Sequence, residues 1–304
     1  MEFLQTFLLL VLIVSLGAYS RYKKIFKSDD KITLSSFVYN FAFPALLIAT
    51  FSKLQFDTIE IGLVLGSVIP VLFCVVCVVL LYMTNIISKD QMVLFAITFG
   101  FGSNAFFGIA YFDSLYGDNG LQFAVIAAAV LGILGVIIAI GFLEYAKEDS
   151  VNLKVIFKTL ISPPVAAVVI GVILALFELN IPFIYKASNL LGKTAGGLAI
   201  FALGMFIYDY FSWKLLKEAI PYVLARAIIL PIVTFVTLLF FSELTTELKS
   251  YLLQQSGIPA AISIAIFAQK YQYYESRFAG IVILSSLVSF LLLGILYFLF
   301  SIIK

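Results

Sequence analysis

Apolar residues in this chain run in long unbroken blocks rather than alternating with polar ones. Stretches free of Asp, Glu, Lys and Arg occupy 3–20, 32–52, 61–88, 91–112, 119–143, 159–177, 194–208, 227–242, 250–269 and 278–303. Eight of the ten have at least 18 residues, close to the ~20 that a helix needs to cross a hydrocarbon core of about 30 Å. The two short ones reach that length if each admits one charge. Lys193 extends one back to residue 187, and Arg226 extends the other back to Ala219, beside the charged pair Lys217 and Glu218. The pattern predicts ten membrane-spanning helices and no soluble domain, because the longest polar stretches, 20–31 and 144–158, are loop-sized.

Composition agrees with that reading and narrows the chemistry. Of 304 residues, 63% are hydrophobic and 12% charged, against about 45–50% and about 25% in soluble domains. There is no histidine, which excludes His-containing metal sites and Ser-His-Asp or Cys-His nucleophile systems. The two cysteines, Cys74 and Cys77, lie in one continuous apolar stretch and read as packing residues rather than a redox pair. A net charge of +2 without a basic block argues against nucleic acid, and no GxxxxGK[ST] loop offers a nucleotide site. Neither an enzyme, a cofactor nor a bound metal is expected, and no residue reads as catalytic.

Charge placement sets an orientation. Loops after the odd-numbered spans carry 13 Lys and Arg, while the other side carries four (Lys53, Lys186, Lys249 and Lys304). The positive-inside rule therefore predicts both termini outside the cell or inner membrane and the 144–158 loop in the cytoplasm. The opening Met-Glu-Phe lacks the basic start of a cleavable signal, so the first stretch is expected to remain as a span.

Ten spans with a cytoplasmic loop in the middle divide as five plus five. The expected domains are an N-terminal five-helix repeat, 1–145, a cytoplasmic linker, 146–161, and a C-terminal repeat, 162–304. Because five is odd, the repeats enter the membrane in opposite directions. Polar, glycine-containing interruptions recur at matching places. Helix 4 is interrupted over Gly100-Phe101-Gly102-Ser103-Asn104-Ala105-Phe106-Phe107-Gly108, and helix 9 over Gln254-Gln255-Ser256-Gly257-Ile258-Pro259. Ser103 and Ser256 are 153 positions apart, and the same offset carries Pro44 of helix 2 onto Gly197 of helix 7. Paired breaks of this kind point to a binding site at the middle of the membrane.

At these positions the chain resembles the auxin efflux carrier family, which includes plant auxin carriers and bacterial malate and malonate permeases. The likeness is carried by Phe37-Val38-Tyr39-Asn40-Phe41-Ala42-Phe43-Pro44 in helix 2, and by Ser162-Pro163-Pro164 with Gly171 and Asn180-Ile181-Pro182 around helix 6. It continues in Leu198-Ala199-Ile200-Phe201-Ala202-Leu203-Gly204, in Ile258-Pro259-Ala260-Ala261 with Phe267-Ala268-Gln269-Lys270-Tyr271, and in Leu284-Ser285-Ser286-Leu287. Two departures stand out: Ser103 and Ala110 replace the family's usual asparagine and proline in helix 4, and Gly197 replaces a frequent proline in helix 7. The resemblance implies an all-α fold shared with bile-acid symporters and sodium/proton antiporters. In it, discontinuous helices 4 and 9 cross, a scaffold of helices 1, 2, 6 and 7 stands against a transport domain, and motion is elevator-like. It also implies a homodimer through helices 2 and 7. Transport of a small organic anion, a mono- or dicarboxylate, is the function it implies. Coupling to a proton or sodium gradient is left open. The alternatives are a sodium-coupled symporter of the bile-acid type, or a polytopic membrane enzyme or sensor.

The expected chemistry follows from the breaks. A second half-helix that starts within the membrane presents unpaired N–H groups and about half a positive charge, enough to hold a carboxylate without a buried cation. Donors are expected around Asn104 to Phe107 and at Ala260 and Ala261, just after Pro259. Ser103, Asn104 and Asn40 add side-chain groups, Gly257, Ile258 and Pro259 of the helix 9 break are expected to bind the substrate with Ala260, and Gly102, Gly108 and Pro259 serve as hinges. Arg226, well inside helix 8, has two open roles, attracting the anion or pairing with helix-end carbonyls. Lys193, near the end of helix 7, is expected to reach the interface, and Asp113 and Asp209 to face water.

Overall fold

The computed structural model describes residues 2–52, 58–148, 162–179 and 181–303. Most of the expected linker, 149–161, lies outside the described residues, as do Lys154, Lys158 and Asn180. Among the described residues the chain is helical throughout, and seven helical stretches are long and apolar enough to cross a membrane.

Seven differs from ten for reasons visible in the backbone. The fourth and fifth apolar stretches meet in α6 (Ile109–Glu148), where two helices follow each other across a kink at Gly117 with no loop between them, so they count as one apolar stretch. Gly117 has φ of 60° and ψ of −143°, a conformation that only glycine adopts at little cost. The ninth stretch is divided between α11 (Thr246–Ser256) and α12 (Ile262–Tyr271), each too short to span alone. The sixth begins outside the described residues and leaves α7 (Pro163–Leu176) with 14.

The chain divides into two compact units, and each draws on both halves of the sequence. The first comprises 1–57, 104–129 and 160–210, and the second 58–103, 130–159 and 211–304.

In the first unit, α1 (Glu2–Tyr22) packs along α9 (Thr194–Tyr210). The backbones all but touch, for a Cβ on Gly17 would lie 2.1 Å from the Phe201 carbonyl oxygen and one on Gly204 2.0 Å from that of Val14. Membrane helices gain little from hydrophobicity alone, so this close approach of small residues is how the pair gains van der Waals contact. At one end of the pair, Asp209 accepts from Arg21 at 2.8 Å, from Lys31 at 2.5 Å and from Ser28 at 3.0 Å. The expectation that Asp209 faces water is corrected, because two cations and a hydroxyl enclose it on a surface that is only 10% exposed.

Pro44 shapes the second span of this unit. It has no N–H to offer the Asn40 carbonyl, and the ladder lengthens into a π-helical segment, Val38–Ala42, between α2 (Asp30–Phe37) and α3 (Phe43–Phe51). The Phe43 N–H reaches back to the carbonyl of Val38, the five-residue spacing of a π-bulge. α3 then packs on α7 and on α8 (Pro182–Gly192).

The second unit is built on α4 (Thr58–Met83), α5 (Lys89–Gly100), α10 (Trp213–Leu239), α11, α12 and α13 (Glu275–Ile303), with the later part of α6. Its core gathers Val93, Ile97, Leu143, Ile264, Phe278 and Ile281, each fully buried. Helix starts follow the capping rules: Ser88 and Gln91 form a reciprocal capping box at α5, and Thr245 caps α11.

Candidate functional site

Two helices of the second unit stop short inside the protein. α5 ends at Gly100, and Phe101 turns extended at φ −123° and ψ 91°. After Gly102 and Ser103 a π-helical segment, Asn104–Gly108, leads into α6. α11 ends at Ser256 and is followed by Gly257, Ile258, Pro259, Ala260 and Ala261 before α12 begins. Pro259 biases Ile258 away from helical geometry and offers no N–H of its own.

The two interruptions lie side by side and pair as a short antiparallel bridge between Gly102 and Ala260. The Ser103 N–H donates to the Pro259 carbonyl at 2.8 Å, and the Ala261 N–H to the Phe101 carbonyl at 2.9 Å. The Ala260 N–H donates to Ser285 Oγ of α13 at 3.1 Å. Ala260 and Ala261, expected from sequence to present open donors, therefore have partners already in place. The reason is general: an unpaired amide buried away from water costs several kcal/mol, so two adjacent extended strands satisfy each other. The first turn of α12, at Ile262 and Ser263, follows directly.

Arg226 holds the opposite ends. It projects from the middle of α10, and only 5% of it is exposed. Nη1 donates to the carbonyls of Thr98 at 2.6 Å and Phe99 at 2.8 Å, both in the last turn of α5. Nε and Nη2 donate to the Ile258 carbonyl, just past α11, at 3.3 and 3.0 Å. Of the two roles open for Arg226 in the sequence, pairing with helix-end carbonyls is the one its geometry displays. Each helix C-terminus carries about half a negative charge, so one guanidinium offsets the pair.

The remaining sequence candidates distribute between the units. Gly102, Ser103, Gly257, Ile258, Pro259, Ala260 and Arg226 come together in the second, and Ser103 is 3% exposed. Asn104, 4% exposed, and the buried Gly108 bound the π-helical segment of the first unit. Asn40 also belongs to the first unit; it is exposed, and its amide donates to the Ser36 carbonyl at 2.8 Å. Lys193 and Asp113 are exposed.

Three contributions escaped the sequence reading. The carbonyls of Thr98 and Phe99 are backbone groups and leave no mark in side-chain identity. Ser285 stood in the sequence only as part of the Leu284-Ser285-Ser286-Leu287 likeness; a serine pair in the charge-free stretch 278–303 is the signal that could have singled it out. Asp90, at the start of α5, accepts from the hydroxyls of Tyr273 at 2.5 Å and Tyr274 at 2.6 Å, fastening α5 to the turn between α12 and α13.

Residues 3–297 match the family model described as Membrane transport protein. The chain is also similar to the protein named Uncharacterized transporter YfdV in Escherichia coli strain K12. The two are 23% identical over 287 residues, spanning 90% of this chain and 89% of that one. The proteins of the same name in Escherichia coli O157:H7 and Shigella flexneri match to the same extent.

Proposed function

Since the chain belongs to the membrane transport protein family, the auxin efflux carriers, and is a multi-pass membrane transporter, we propose that its cargo is a small organic anion, a mono- or dicarboxylate of the auxin, malate or malonate kind. The observation that carries this reading is the bridge between Gly102 and Ala260, which sets two interrupted helices against each other inside the protein. Helical segments that begin after such breaks turn their positive ends and unpaired N–H groups toward the break. A carboxylate is the ligand that suits them.

In this reading the anion is held in the second unit by the N–H groups of Ile262 and Ser263, at the start of α12, with Ser103 supplying a side chain. Gly102, Gly108 and Pro259 are the hinges, and Arg226 fixes the frame rather than touching the cargo. The full proposal has ten spans in two inverted repeats, 1–145 and 162–304, with helices 4 and 9 crossing. Both termini are extracytoplasmic, access alternates by an elevator-type motion, and a homodimer forms through helices 2 and 7.

Uptake into proteoliposomes of a panel of radiolabelled mono- and dicarboxylates tests the substrate class. Saturable accumulation of at least one, absent from protein-free vesicles, is the expected result. Transport confined to cations or neutral solutes would overturn it.

A further inference from the structure

The arrangement around Arg226 goes beyond cargo and bears on what drives it. Two helix ends meet inside a low-dielectric interior with their carbonyls turned inward. Such a focus of negative potential needs a positive charge, and half-helix C-termini in transporters are ordinarily suited to a small cation. Here the position is filled covalently. Every hydrogen bond that Arg226 makes among the described residues goes to a main-chain carbonyl, and the three carbonyls come from two different breaks. The planar guanidinium fork reaches both helix ends at once, which an ammonium point charge cannot do as well.

We infer that Arg226 is a resident counter-cation, occupying a latent monovalent-cation site formed by the carbonyls of Thr98, Phe99 and Ile258, so that this transporter needs no sodium at its crossing. Without the arginine side chain, the same carbonyls are left facing a space that a free cation can enter, and stability becomes dependent on that cation. A buried arginine with no carboxylate partner otherwise carries a large desolvation cost. The half-charges of two helix ends are what make it tolerable.

The inference deepens the carrier reading, yet its main test requires no cargo. Thermal melting of the purified full-length protein is followed at constant ionic strength in sodium, choline or low-millimolar guanidinium chloride. The wild type is expected to melt at the same temperature in sodium and choline. Arg226→Ala is expected to melt lower in choline and to recover, saturably, in guanidinium or sodium. A saturable sodium stabilisation of the wild type overturns the inference, as does a folded Arg226→Ala protein that no cation moves. Should Arg226→Ala yield no folded protein, Arg226→Lys and Arg226→Met decide the matter. The lysine variant is expected to melt above the methionine variant and to ignore sodium; equal melting of the two, or a sodium-dependent lysine variant, overturns it. Failure of every carboxylate in the uptake panel leaves these melts standing, so the two readings fail separately.

Discussion

Ser103 and Pro259 meet where the two helix breaks pair, the amide of one donating to the carbonyl of the other at 2.8 Å. The proline that breaks α11 thus also supplies the acceptor that orients the break in α5. A residue that stops one helix and anchors another constrains both segments through a single peptide group.

Replacing Pro259 with alanine is expected to loosen this arrangement. Alanine favours a helix interior by about 3 kcal/mol over proline and restores an N–H able to pair with the Gln255 carbonyl. The helix can then close over 257–261 and withdraw the Pro259 carbonyl from Ser103. Substrate affinity should fall at least tenfold, equivalent to about 1.4 kcal/mol, while the melting temperature stays within a few degrees. Scintillation proximity binding and melting curves on the same sample check both halves. Ala110→Pro, by contrast, should be tolerated.

Two glycines of α9 make a stability pair. A Cβ on Gly204 would sit 2.0 Å from the Val14 carbonyl oxygen, whereas one on Gly197 meets nothing within 4 Å. Gly204→Ala must push α1 away and should destabilise by about 1–3 kcal/mol. Gly197→Ala should be neutral or gain up to about 1 kcal/mol from helix propensity alone. Melting of the two variants beside wild type measures the difference, and equal effects would contradict the packing of α1 on α9.

Acid should release the tie between α5 and the turn after α12. Hydrogen bonds from Tyr273 and Tyr274 hold the Asp90 carboxyl below its ordinary range; burial and then the same contact raise the Tyr273 phenol, and the contact raises that of Tyr274. The depressed carboxyl contributes stability above its unfolded pKa, near 3.9, and loses it as pH falls through the folded value. The melting gap between wild type and Asp90→Asn should therefore be constant at about pH 6–8 and shrink below about pH 4. Tyr273→Phe should narrow the gap at neutral pH as well.

Topology is open to a labelling test. Single cysteines introduced at Glu2 and Ser150, in a background lacking Cys74 and Cys77, should react with an impermeant maleimide from opposite sides. The background itself should transport within a few-fold of normal, because Cys74 is buried among apolar neighbours of the core. Reaction of both positions from one side would remove the five-plus-five arrangement.

The all-helical fold, the two breaks and the buried arginine were legible as sequence: long apolar runs mark the helices, and each break and the arginine interrupts one. What the apolar pattern misses is backbone continuity. Asp113, Ser114, Asp118 and Asn119 separate two hydrophobic stretches, yet no loop does: two helices meet there directly across the kink at Gly117, where glycine takes up the turn in a single residue. For Arg226 the sequence left two roles open, anion attraction and helix-end pairing, because its partners are carbonyls, which every residue possesses. Ala260 and Ser285 are separated by 25 positions, and nothing in either residue announces the other.

The interleaving of the two units has a consequence for synthesis of the protein. Thr98 and Arg226 lie 128 positions apart, and ribosomes add roughly 5–20 residues per second. The end of α5 therefore waits some 6–26 s, on that estimate, before the arginine that closes it has been made. During that interval the carbonyls of Thr98 and Phe99 must be sheltered by water, lipid headgroups or the insertion machinery. Biogenesis, more than the finished fold, is where slow translation or a missing insertase should leave the heaviest mark.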